Sequence, residues 1–324
     1  MKRTLMLILF FVTLYSQAQL RTNISVDNSY FNQQPPEDIA LLFVPDIISN
    51  EFGNRDMAIS PNGDEIFYTF QYRNLISMIM YSKKVNGKWS TPEVASFSGI
   101  YSDLEPAFSS DGTTLYFVSN RTLTKEGRPK DYDIWFVTKT NGEWVHPQNI
   151  GEPVNSEKDE FYPSVTKHGD IYFTRAVEGR EEDIMYCKFL NGKYETAEPL
   201  PDAINSVADE FNAFIDPDEQ FIIFSVYGRK DDNGGGDLYI SRKNEKGVWM
   251  LASNPGTIIN SKALDYCPYI TPDKKYFFFT SNRHVIKIPF DKQQNVKSVE
   301  SILHSTMNGY DNIYWTDAKA ILNK

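Results

Sequence analysis

This chain is poor in the residues from which most enzyme and metal centres are built. Its 324 residues include only two cysteines and four histidines. His146, His168, His284 and His304 are scattered, with no Cys/His spacing that would hold zinc. There is no Gly-x-Ser-x-Gly nucleophile elbow, and Gly234-Gly235-Gly236 lacks the strand–loop–helix setting of a phosphate cradle. Positive charge is also scarce: 33 Lys and Arg against 43 Asp and Glu give a net charge of −10. Without a basic stripe, nucleic acid and anionic membranes are excluded as expected partners, because neutralising phosphates needs clustered cations.

Long apolar runs are missing beyond the N-terminus. Lys2-Arg3 precede an apolar stretch over 5–15, and Ser16-Gln17-Ala18 offers the small residues that a signal peptidase needs. The run is too short for a comfortable membrane span. A signal peptide over 1–18 is therefore expected, with a mature chain from Gln19 that is exported, periplasmic or secreted, and not inserted in a membrane. Removing Lys2 and Arg3 would take the net charge from −10 to −12. No cysteine flanks the cleavage site, so no lipid anchor is expected there.

What the chain has in abundance is hairpins. Asp103-Leu-Glu-Pro106-Ala-Phe-Ser-Ser-Asp111-Gly112 leads into Leu115-Tyr-Phe117-Val-Ser119-Asn120-Arg121. This reads as strand, tight Asp-Gly turn, strand. Related segments begin at Asn54, Glu160, Glu210 and Asp265, and their proline-equivalent positions Met57, Pro106, Pro163, Ala213 and Pro268 are 49, 57, 50 and 55 residues apart. Third strands open on Asp133-Ile-Trp135, Asp183-Ile-Met185 and Asp237-Leu-Tyr239, with a looser 77–81 in the first copy. Asn86-Gly87, Asn141-Gly142, Asn191-Gly192 and Lys246-Gly247 then turn the chain into a fourth strand. A repeat of this length and strand content is a propeller blade, which cannot bury both faces alone.

The fold class expected is all-β, a single propeller of four-stranded antiparallel blades. A leader over 19–38 precedes the propeller domain, 39–324, with blades near 54–99, 103–156, 160–206, 210–261 and 265–318. The fifth copy has a third strand at Asp311-Asn-Ile313-Tyr314-Trp315 only after an insertion, 284–310, with a short helix expected near 299–304. It lacks a fourth strand, whereas 39–48 is a strand without a blade. Pairing the two closes the ring and removes an open edge. A sixth blade would need the leader and the insertion to build it. Cys187 and Cys267 fall in blades 3 and 5, which are not neighbours, so two buried free thiols are expected.

The recurring Pro-x-Phe-Ser-x-Asp-Gly-x-x-Leu-Tyr-Phe-x-Ser-x-Arg followed by Asp-Ile-Trp resembles the WD40-like β-propeller repeat (PD40) family, related to the TolB propeller. The likeness runs over roughly 40–318. It implies an exported envelope protein that binds partners, on a ring that in TolB-type proteins usually has six blades.

In such blades the short turns share one face, and the long loops 122–132, 228–236 and 284–310 share the other, where binding is expected. That face also gathers charge. Asp103, Glu160, Glu210 and Asp265 begin first strands, with Glu105 one pleat on, while Arg121, Arg175 and Arg283 end second strands, and Arg229 follows another. Two arrangements are open. The acids pair with the arginines of their own blades as architecture, or they line the central channel as a ligand-binding ring for Ca²⁺, a cationic ligand or sugar hydroxyls. No cofactor is otherwise expected. Trp89, Trp144 and Trp249 are read as packing between blades. With no catalytic constellation in view, the favoured function is a monomeric, non-enzymatic propeller binding a protein or glycan partner on its long-loop face. The alternative is a carbohydrate-active hydrolase or lyase that uses two funnel carboxylates.

Overall fold

The computed structural model of this chain describes residues 30–124, 127, 129, 131–177 and 182–323. The expected signal peptide and the first part of the leader lie outside the described residues. Five antiparallel sheets form a five-bladed β-propeller. Blade 1 is built from Gly53–Ile59, Glu65–Tyr72, Ile76–Val85 and Glu93–Val94. Blade 2 uses Asp103–Phe108, Thr114–Ser119, Asp133–Thr140 and Glu143–Asn149, and blade 3 uses Glu160–Val165, Ile171–Ala176, Glu182–Cys187 and Glu198–Pro199.

Blade 4 comprises Asp209–Ile215, Phe221–Tyr227 and Asp237–Arg242, with its fourth position reduced to the bridge between Ile240 and Ser253. Blade 5 has Asp265–Ile270, Tyr276–Ser281 and Asn312–Asp317, and its outer strand comes from the other end of the chain. Leu41 pairs with Trp315 and Leu42 with Tyr314. The ring is thus closed by strands from both ends, as the missing fourth strand demanded.

That closing strand is shorter than expected. Only Leu41–Leu42 enters the ladder, because Val44 and Asp46 turn the chain with positive φ. Further anchorage comes from packing. Phe43 is fully buried against Phe278 at 4.9 Å and Trp315 at 5.3 Å, while Gln33 bonds Leu42 O and Val44 N. The helix in the insertion also differs, running over Val296–Leu303 because Asn295 and Ser298 form a reciprocal cap upstream of the expected start.

The first strands contact one another in a closed cycle around the axis. Five apolar clusters fill the five wedges between neighbouring blades. The tryptophans serve these wedges. Trp144 meets Phe67 and Phe108 between blades 1 and 2, and Trp249 joins the cluster between blades 3 and 4. Trp89 stacks on Phe31 of the leader at 5.5 Å. Cys187 and Cys267 are both free and buried.

Candidate functional site

Every innermost strand carries the same irregularity. Its register with the second strand slips between Arg55 and Ala58, Leu104 and Ala107, Phe161 and Ser164, Phe211 and Phe214, and Tyr266 and Tyr269. Two residues there face one on the partner, which is a β-bulge. In blades 2, 3 and 5 the second of the two is proline, which has no N–H to give the ladder. The first is left-handed in all five blades: Asp56, Glu105, Tyr162, Asn212 and Cys267 have φ between 48° and 58°. Each such non-glycine residue costs on the order of 1 kcal/mol or more, so the surroundings must hold it. Thr280, Thr69 and Thr174 of preceding blades accept from the N–H groups of Asp56, Glu105 and Asn212.

The bulges turn these five residues onto the axis, where they form a septum. Arg55 Nη2 donates to Glu105 Oε1 at 2.7 Å and Arg55 Nε to Asp56 Oδ1 at 2.8 Å. Glu105 Oε2 accepts the Tyr162 N–H at 2.6 Å, Asn212 Nδ2 reaches Cys267 Sγ at 3.1 Å, and Tyr162 OH donates to Pro268 O across the ring. The group joins all five blades. Burial raises the Glu105 carboxyl to about 8, with Arg55 pulling it down and Asp56 pushing it up. Burial also raises Asp311, which faces the same arginine. Burial opposes the Arg55 charge, yet Asp56 and Glu105 help hold its pKa well above the ordinary value.

The septum divides the channel into two cavities. On the long-loop face lies one of about 450 Å³, with Gln71, Asn74, Ser102 and Asn212 interleaved with Tyr132, Phe161, Phe211 and Tyr266, and with Arg55, Glu105 and Glu182 at hand. On the short-turn face lies an apolar funnel of about 270 Å³. Among the described residues, the expected loops reach the polar cavity through Tyr132 alone, and 228–236 and 284–310 supply none of its lining. The glycines at 234–236 instead let that loop press on the backbone of the next blade, since a Cβ on Gly234 would meet Lys262 O at 2.3 Å.

The other site residues expected from sequence are placed between blades. Asp103, Glu160, Glu210 and Asp265 are fully buried, and each meets an arginine of its own blade: Arg121 at 2.6 Å, Arg175 at 2.7 Å, Arg229 at 2.9 Å and Arg283 at 2.7 Å. The same arginines donate to Phe97 O, Val154 O, Ile204 O and Ile259 O at the end of the preceding blade. They also lie over aromatic rings, Arg229 on Tyr239 at 4.7 Å and Arg283 on Tyr314 at 4.8 Å. Ser98, Ser156 and Ser206 donate to the first three acids, and the Ser261 N–H to Asp265. The unit is a clamp across four of the five blade junctions. Beside it, Asn155, Asn205 and Asn260 pair with both backbone groups of Ile134, Ile184 and Leu238, standing in for a strand residue.

Of the eight candidates, only Glu105 lines the axial cavities. Sequence reasoning missed Arg55, Asp56, Tyr162, Asn212 and Cys267. Their available signal was position, immediately before or one further before the proline-equivalent residue. Among the described residues, no three His, Cys, Asp or Glu side chains converge as a metal-ligand group, and no helix is long and apolar enough to cross a membrane.

No known protein family matches this chain, and no curated protein does. Similar solved structures exist at low identity. TolB from Acinetobacter baumannii is 14% identical over 82% of this chain, with a TM-score of 0.46, and the chain spans 54% of that protein's length. A protein of unknown function from Dyadobacter fermentans is 15% identical over 75% of this chain and 78% of its own, at 0.45. A thermostable family-43 glycoside hydrolase is 11% identical over 89% of this chain and 92% of its own, at 0.49. Such distant likenesses assign neither a reaction nor a partner here.

Proposed function

We propose that this chain is an exported, non-enzymatic binding propeller whose polar axial cavity on the long-loop face holds a glycan or protein partner. The observation that carries the reading is the lining of that cavity. Four aromatic side chains, Tyr132, Phe161, Phe211 and Tyr266, alternate with the amides of Gln71, Asn74 and Asn212. Ring faces suit the C–H faces of a sugar or the flat side chains of a peptide, and amides suit hydroxyls and backbone groups. Hydrolysis by two carboxylates is the weaker reading. Glycosidase chemistry needs one acid and one base set against the substrate, whereas Glu105 is held by Arg55 and the Tyr162 N–H. The acids of the blade junctions are spent on arginines. Export follows from the N-terminal segment read above.

A glycan array and an envelope pull-down with the mature protein test this reading. Gln71→Ala with Asn74→Ala should weaken any captured partner by about tenfold or more, the worth of one or two polar contacts. Capture that is indifferent to these changes, or turnover of the bound glycan, would refute it.

A further inference from the structure

The apolar funnel on the short-turn face is a second, independent cavity. Its wall is made by all five blades, with Phe108, Tyr162, Phe214 and Tyr269 contributing aromatic side chains from four of them and Met57 and Ile59 from the fifth. Its floor is the septum. Charge is present around it but is already committed. Glu105 accepts from Arg55 and Tyr162, Asp216 lies 2.6 Å from Lys274, and Asp218 is bound by Lys167. The hydroxyls of Tyr162 and Tyr269 donate to Pro268 O and Ile59 O. Pro106, Pro163 and Pro268 have no N–H to offer.

A charged ligand would therefore lose its hydration without gaining a counter-ion, which is costly. An uncharged aromatic molecule loses little and gains the ring contacts. Volume sets its size. A dry apolar cavity of about 150 Å³ takes a benzene ring, and this one has about 270 Å³, room for two fused rings.

We propose that the short-turn funnel is a binding site for a compact, uncharged aromatic small molecule, separated by the septum from the polar cavity opposite. Fluorescence titration with 2-naphthalenemethanol, uncharged, and 2-naphthoate, its anionic counterpart, tests it. The expected result is one saturable site for the uncharged probe, bound about tenfold or more tighter than the anion. Ala107→Trp fills the wall and Ser110→Trp, at an exposed turn on the rim, obstructs the mouth. Each should weaken the uncharged probe by about tenfold or more. No saturable binding, equal affinity for the anion, or unchanged affinity in Ser110→Trp with an unaltered thermal melt would overturn the proposal. Ser110→Trp decides the matter if Ala107→Trp fails to fold. Because the two cavities share Glu105 of the septum and no other lining residue, and are tested with different probes, either reading can fail while the other stands.

Discussion

Replacing Arg175 by methionine tests the clamp directly. The arginine donates to Glu160 at 2.7 Å and to Val154 O at 2.6 Å, and its guanidinium lies 5.0 Å from the Phe173 ring centre. Glu160 has no exposed surface. Its remaining support would be the hydroxyl and N–H of Ser156. Two charges about 4 Å apart attract by roughly 4 kcal/mol at an effective dielectric constant near 20, and stripping one partner from a buried pair typically costs about 3–5 kcal/mol. Arg175→Met should therefore lose about 4 kcal/mol in urea unfolding near neutral pH. Glu160→Gln/Arg175→Met should lose clearly less than the two single changes added together, since no charge is left stranded.

The pH dependence has a definite sign. Burial already raises the Glu160 carboxyl in the folded protein, and loss of the arginine raises it further. A carboxyl whose folded pKa exceeds its unfolded value favours folding below the unfolded pKa, and that contribution disappears as pH rises through the folded one. The methionine variant should thus be hurt most near neutrality and least in mild acid. A loss below about 1 kcal/mol, or one equal at both pH values, would contradict the reasoning that sets a buried-pair penalty on this contact.

Glu105 leads to a related expectation. With its carboxyl raised to about 8, stability should fall as pH rises from its unfolded value toward 8, by up to about 1.4 kcal/mol per unit, and Glu105→Gln should flatten that slope in urea titrations. Burial raises the Cys187 thiol to about 12 and lifts Cys267 well above its usual value. An aromatic disulfide reagent at mildly alkaline pH should find no reactive thiol in the native protein and two after unfolding. Phe43→Ala should cost about 3–5 kcal/mol by calorimetry or urea, because that ring pins the short closing strand to Phe278 and Trp315.

The blades were legible because strand signals are local. Alternating β-branched and aromatic residues, Asp-Gly and Asn-Gly turns and a regular spacing report on a few neighbouring residues at a time. Ring closure was legible too, from the unmatched strand at one end and the missing strand at the other. The partners of Glu160 and Asp265 were visible as types, an acid and an arginine in four of the five copies. Whether they faced a ligand or one another depended on side-chain direction.

That direction was decided by the bulges. A two-for-one slip in each inner strand re-aims the bulge residue, so Glu105 and Tyr162 reach the axis while Asp103 and Glu160, only two residues earlier, sit in the junctions. The repeat itself fixed how many sheets there are and the order in which they follow. Packing alone brought Arg55 beside Cys267, 212 residues apart, and split one channel into a polar mouth and an apolar one. Those contacts join residues that share no local pattern, so nothing in the linear chain announces them.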